Sequence, residues 1–371
     1  MQNNNNYKDL FEIDKDIIYL NCSGMSPVLR SVKQAGLTGL EKRAKPWTMT
    51  NEDWFDKAEK LRILASRIFQ TTESNVALVP SASYGLATAA KNLRVKSGKS
   101  IVIVEDQFPS NYYIWENLAR KFNLKIIKAE KKPDSILTDS ILESINSETG
   151  IVAVPNCHWV DGMLIELEKI SEAVKTVGAF MILDLSQSLG VYPTNVEKID
   201  PDFAVAVGYK WMLGPYGLGY MYAAPRWHEK GEPLEYNWST RKGSEDFSSL
   251  INYTPEFRAG ARKFDMGESA QFNTMPMAIT ALEQILEWGV EEIQSSIKLL
   301  TDIISSNINI DKFKRAGHII SIPISGSNVN AVKQKFLQNK IIVSFRGSFV
   351  RISPHLYNDH SDINRLIECL S

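Results

Sequence analysis

Cysteine is nearly missing from this 371-residue chain: Cys22, Cys157 and Cys369 are the whole set. Their odd number and the lack of a CxxC pair argue against a disulfide framework. His158 stands beside Cys157, but no second cluster at ligand spacing exists among the five histidines, so no metal site is expected. No apolar run approaches the roughly 20 residues that cross a bilayer. The first residues, Met1–Asn6, offer neither a basic segment nor an apolar core, which makes the cytoplasm the expected compartment. Net charge is lacking too. With 42 Lys+Arg against 43 Asp+Glu, mixed along the chain, there is no basic field to attract nucleic acid or anionic lipid. Neither a GxGxxG nor a GxxxxGK(S/T) loop occurs, which disfavours a nucleotide-binding α/β protein.

What is present is an ordinary globular composition, 44% hydrophobic and 23% charged, on a chain longer than one typical domain. Short apolar runs at 76–79, 101–104, 125–127, 151–154, 180–183, 203–207 and 219–222 read as strands. Helical spacing fills most intervals between them, at 85–93, 113–122 and 167–177, and also spans 51 to about 70. Strand–helix alternation predicts an α/β fold with a mostly parallel seven-stranded sheet and ligands at the strands' carboxyl ends. The expected organisation is a large domain over 31–290 and a small α+β domain over 291–371. The N-terminal segment 1–30 is expected to associate with the small domain, beginning in a frayed asparagine tail. Residues 226–265, polar and weakly periodic, are too long for a casual connection and suggest a functional loop or interface.

The chemistry concentrates around Lys210, in Val207-Gly208-Tyr209-Lys210-Trp211-Met212-Leu213-Gly214-Pro215. A lysine between an apolar strand and a Gly/Pro turn is held in one place. A stem laid over apolar surface is the bland alternative. Upstream, Asp184 follows the apolar run 180–183, and Gln187 comes three residues later. Pyridoxal phosphate (PLP) needs such a set: an amine for a Schiff base and a carboxylate beside the pyridine nitrogen. The carboxylate raises that nitrogen's pKa, and Gln187 suits the phenolic oxygen. An isolated Asp at a strand end more often only opens a loop. Val79-Pro80-Ser81-Ala82-Ser83-Tyr84-Gly85 supplies small hydroxyl residues and amides between a strand and a helix, as a phosphate requires. An ordinary serine N-cap has the same look.

A series of segments resembles landmarks of the class V aminotransferase family of fold type I PLP enzymes. They are Tyr19-Leu20-Asn21-Cys22-Ser23-Gly24, Ser81-Ala82-Ser83 and Asp106-Gln107-Phe108-Pro109-Ser110-Asn111-Tyr112-Tyr113. Further along come Asp184-Leu185-Ser186-Gln187-Ser188, Gly208-Tyr209-Lys210 and Arg351-Ile352-Ser353-Pro354-His355-Leu356-Tyr357-Asn358. The resemblance implies Lys210 as Schiff-base lysine and general base, Asp184 as pyridinium partner and Gln187 as phenolate contact. It implies phosphate binding by Ala82, Ser83 and Tyr209, and stacking of Phe108 on the cofactor ring. Arg351 is implied as partner of the substrate carboxylate, a task suited to a planar bidentate guanidinium; a surface salt bridge is its alternative. Asn21 and His158 are expected near the substrate. A homodimer with shared active sites is implied as well, with 237–243 and 264–268 contributing across it.

One departure narrows the function. Cysteine desulfurases carry a catalytic cysteine shortly before the carboxylate-binding arginine, and Val343-Ser344-Phe345-Arg346-Gly347-Ser348 has none. The expected activity is therefore transamination of a small carboxylate-bearing amine. Phe108 is shared with the kynureninase branch, so a kynureninase-like or C–S lyase remains an alternative, as does an epimerase. A PLP-binding scaffold without turnover is disfavoured by the intact Lys210, Asp184 and Arg351.

Overall fold

The computed structural model describes residues 7–132, 135–308, 310, 314–324 and 329–370. The asparagine tail lies outside them. The first strand, β1 (Ile18–Tyr19), precedes helices α1 (Arg30–Arg43) and α2 (Lys57–Phe69). A wider π turn, Glu52–Asp56, leads into α2 within the segment predicted as one helix. There the side chains of Trp54 and Phe55 both meet Trp238.

The main sheet consists of β2 (Val76–Val79), β3 (Ser100–Val104), β4 (Lys125–Ala129), β5 (Thr149–Pro155), β6 (Phe180–Asp184), β7 (Phe203–Val207) and β8 (Gly219–Ala223). Between them run α3 (Ala82–Asn92), α4 (Ser110–Phe122), α5 (Leu137–Ser144), α6 (Leu167–Val177) and α7 (Val196–Ile199). The spatial order is β2-β8-β7-β6-β5-β3-β4. Strands β3 to β7 pair in parallel, whereas β8 is antiparallel to both neighbours, β2 and β7. Thus β2 points the same way as β7, and the carboxyl ends of β2, β6 and β7 share one edge. Strands β2, β3, β5 and β7 are buried along their whole length, the pattern of a parallel sheet covered on both faces.

Helix α8 (Thr274–Trp288) packs against α1 and α2, and α9 (Val290–Ile308) leads to the C-terminal elements. These are β9 (Ile320–Pro323), α10 (Val329–Gln338), β10 (Ile341–Ile342), β11 (Ser344–Arg346), β12 (Phe349–Ile352) and α11 (His360–Leu370). Within this α+β part the chain changes partner at Val343. Strand β10 pairs in parallel with β1, while β11 joins the antiparallel sheet β11-β12-β9. A second apolar core gathers Ile18 and Leu20 with Leu300, Ile320, Phe336, Ile341, Ile352 and Leu366. Residues 226–265 hold short 3-10 turns at Trp238–Thr240, Phe247–Ser249 and Gly260–Phe264 and no longer element.

Candidate active site

A cavity of about 240 Å³ opens at the carboxyl edge of the sheet. Its wall carries Ala82, Ser83, Phe108, Asp184, Gln187, Tyr209 and Lys210, contributed by segments far apart in the chain. Burial drives this convergence: the apolar strands must sit inside, and the segments at and just past their carboxyl ends meet at the cavity.

Lys210 is fixed by the turn behind it. The Gly208 amide donates to the Leu218 carbonyl at 2.9 Å, the Gly214 amide to the Gly208 carbonyl at 2.8 Å, and the Leu213 amide to the Lys210 carbonyl at 3.1 Å. A Cβ on Gly208 would stand 2.6 Å from the Leu218 oxygen, so this tight loop admits glycine alone. Lys210 is 7% exposed. Burial pushes its amine down to about 8; Asp184 opposes the shift, and Arg351 and Arg346 add to it. Its Nζ stands 5.4 Å from the centre of the Phe108 ring.

Asp184, at the end of β6, accepts the Ser186 amide at 3.0 Å. Among the described residues it forms no ion pair. Gln187 is held at both ends of its amide: Nε2 donates to the Ser23 carbonyl at 3.0 Å, and Oε1 accepts Trp211 Nε1 at 2.9 Å. One Nε2 hydrogen remains for the cavity. Ser23 in turn meets Ser353, the hydroxyls 2.7 Å apart, two residues past Arg351. His318 Nε2 approaches the Gln187 carbonyl oxygen at 2.6 Å, and its ring stands edge-on to Trp211 at 4.7 Å.

The Ser81 side chain does cap α3, accepting the Tyr84 amide at 3.1 Å, and its Oγ lies 2.9 Å from that of Ser83. The cap and the anion cradle are compatible. The first-turn amides of a helix have no intrahelical acceptor and point at whatever lies beyond the N-terminus, here the cavity.

Three sequence-predicted residues are not on the cavity wall. His158 is fully buried, its Nδ1 2.9 Å from Asp161 Oδ1, inside the turn between Cys157 and Leu164. Trp159 takes the wall position next to it. Asn21 packs its amide against Gly24, with Oδ1 buried and unpartnered. Arg351 is 1% exposed, and its Nη1 donates to the Trp159 carbonyl at 2.7 Å. Its Nε and Nη2 are buried without a partner among the described residues. Desolvation, with Arg346 nearby, pulls this guanidinium down to about 9, as expected for a buried cation awaiting an anion. Sequence reasoning gave no role to Arg346, Trp211, Tyr216 or His318. A hint for Arg346 lay in its spacing from Arg351 around Gly347-Ser348, which is hairpin spacing.

A lysine amine, a carboxylate, a helix N-terminus flanked by serines and an aromatic plate are the donor set PLP calls for. Comparison with known proteins decides the kinship. The family model described as aminotransferase class-V matches residues 47–366. The chain belongs to the class V aminotransferases. This is a PLP-dependent enzyme family, and the fold is its own α/β fold with a mostly parallel seven-stranded sheet. Among its relatives is an uncharacterized aminotransferase, YcbU, of Bacillus subtilis (strain 168), 24% identical over 84% of this chain and 83% of the relative. Another is a kynureninase of Bacillus mycoides (strain KBAB4), 22% identical over 92% of this chain and 82% of the relative. In fold the chain is similar to a C-DES mutant with glycine covalently linked to its PLP cofactor. That match has a TM-score of 0.88 at 16% identity and covers 98% of both chains.

Among the described residues no group of three or more His, Cys, Asp or Glu gathers as a metal site, and no helix is long and apolar enough to cross a membrane.

Proposed function

We propose that the protein is an aminotransferase acting on an amino acid through Lys210. The observation that carries this reading is the buried Lys210 amine on the cavity wall with Asp184, and near it the Arg351 guanidinium, whose Nε and Nη2 have no partner among the described residues. PLP, when bound, supplies the aldehyde that condenses with an amine and the electron sink for the carbanion at Cα. Ala82, Ser83 and Tyr209 would hold its phosphate, Asp184 its ring nitrogen, Gln187 its phenolic oxygen and Phe108 one ring face. Arg351 Nε and Nη2 bind and orient the substrate carboxylate, which fixes where the Cα–H bond points. Lys210 Nζ, neutral in part at physiological pH, takes the Cα proton and holds it for a second transfer.

Desulfurase-type transfer of sulfur to a cysteine lacks a candidate nucleophile here. The free Cys22, Cys157 and Cys369 are all buried, and burial pushes the thiols of Cys22 and Cys157 well above their ordinary value. A lyase is the second reading, favoured by the kynureninase relative and by Phe108 on the cavity wall. Incubation of the PLP-loaded protein with single amino acids separates the two. One keto acid per active site, with multiple turnover only after an acceptor keto acid is added, is the expected result; a second carbon or sulfur fragment released without acceptor would refute transamination.

The same reading includes a homodimer, supported by the exposed Tyr216 at the cavity and the exposed Tyr236, Trp238, Ile251 and Tyr253 of the 226–265 segment. It also includes a cytoplasmic location, supported by cysteines that all remain thiols.

A further inference from the structure

Two guanidiniums on one hairpin face have no carboxylate partner among the described residues. In the β11–β12 pair, Ser344 lies opposite Arg351 and Arg346 opposite Phe349. Directly opposed residues share a face, as do alternate residues along one strand, so Arg346 and Arg351 emerge on the same side. Both reach Trp159. Arg346 lies over its ring, with the guanidinium carbon 5.3 Å from the ring centre, and Arg351 donates to its carbonyl. Trp159 itself is pinned: its indole Nε1 donates to the Asp106 carbonyl at 2.6 Å, and its ring meets Phe108 edge-on at 5.3 Å. It also forms part of the wall of the Lys210 cavity. The arginine pair therefore adjoins the cavity through one immobilised side chain.

Neither arginine forms an ion pair among the described residues. Arg346 donates Nη1 only to the neighbouring Phe345 carbonyl at 3.0 Å, and its Nε is buried without a partner, like Nε and Nη2 of Arg351. Two like charges brought together and left unmet are costly unless a ligand neutralises both. One carboxylate seated in the fork of the deeply buried Arg351 leaves Arg346 still unmet. Arg346 is the outer of the two, half-buried where Arg351 is fully buried.

We propose that Arg346 is a second anion-recognising residue and that the substrate is an amino acid with an additional carboxylate on its side chain. Arg351 receives the α-carboxylate and Arg346 the distal one. This rests on the amino-acid reading of the cavity given above.

The test uses the PLP-loaded protein and ligands without an amine, so that binding is measured apart from chemistry. Calorimetry compares glutarate with valerate and succinate with butyrate. The dicarboxylates are expected to bind at least about tenfold more tightly, since a hydrogen-bonded charge contact discriminates by roughly ten- to hundredfold. Arg346→Gln should erase that ratio while keeping monocarboxylate binding, Arg346→Lys should give an intermediate ratio, and Arg351→Gln should weaken both classes. Equal affinity of the two classes in the unaltered protein overturns the proposal, whatever the variants do. So does an Arg346→Gln protein that keeps the ratio but sediments as a smaller species, because Arg346 then serves a second copy of the chain. Failure of the amino-acid reading looks different: no carboxylate binds in an Arg351-dependent way at all.

Discussion

Lys210 combines a buried amine with a carboxylate neighbour, and its protonation has consequences measurable in the PLP-free protein. Its folded pKa, about 8, lies below its ordinary 10.5. Between those values the unfolded chain holds the extra proton, so stability rises with pH through that window and carries the full burial cost below pH 8. That cost is about 3 kcal/mol. Lys210→Met should therefore raise the chemical-denaturation stability of PLP-free protein at pH 7 by about that order, with the gain shrinking from pH 8 to 10.5. A gain independent of pH would contradict the assignment. The rate of PLP capture should likewise climb with a midpoint near pH 8, since the neutral amine is the nucleophile. The placement of Lys210 and Asp184 at the cavity was legible in the sequence because Asp184 closes one apolar strand and Lys210 sits in the turn just after another. His158 was not, because its burial depends on Asp161 and a turn whose closure no local pattern announces.

At the scale of elements, the cavity depends on how closely α3 approaches β7. A Cβ on Gly85 would stand 2.5 Å from Val205 Cγ1, so the helix bearing Ala82 and Ser83 seats itself on the sheet only through glycine. Gly85→Ala should push α3 outward and cost roughly 1–3 kcal/mol, the usual penalty for overpacking. It should also weaken PLP retention, because the helix start moves with it; equilibrium dialysis of PLP against the unaltered protein measures this. An unchanged PLP affinity would separate α3 from phosphate binding. The seven strands were legible because continuous apolar runs bounded by turn residues have few other uses. Partner switching at Val343 was not, because β10 and β11 have the same apolar look and differ only in what lies beside them.

For the molecule as a whole, two histidines are buried where the C-terminal elements meet Trp211, and His318 also reaches Gln187 of the cavity wall. Burial pulls His318 down to about 4 and His355 to about 3, both below the ordinary 6.5. The unfolded chain takes up these protons first as pH falls, so stability should decline from about pH 6.5 toward 4. Neither ring nitrogen of His355 has a partner among the described residues, and its ring stacks on Tyr357 at 5.7 Å. His355→Phe should therefore leave stability at pH 7 unchanged or improved, and reduce the loss between pH 6.5 and 4, read from urea midpoints. A destabilised variant with the same acid slope would assign His355 a bond that burial alone does not suggest. The contact between His318 and Gln187 joins residues more than a hundred positions apart. Sequence patterns are blind to such pairs, whereas the ordered series of motifs along the chain was enough to indicate the family.

The most direct single measurement is borohydride reduction of the PLP-loaded protein followed by peptide mass mapping. One PLP-derived adduct per chain, on Lys210, is expected, together with loss of the visible absorption band and of the adduct in Lys210→Ala. An adduct spread over surface lysines, or one that persists in Lys210→Ala, would contradict the central role given to this residue.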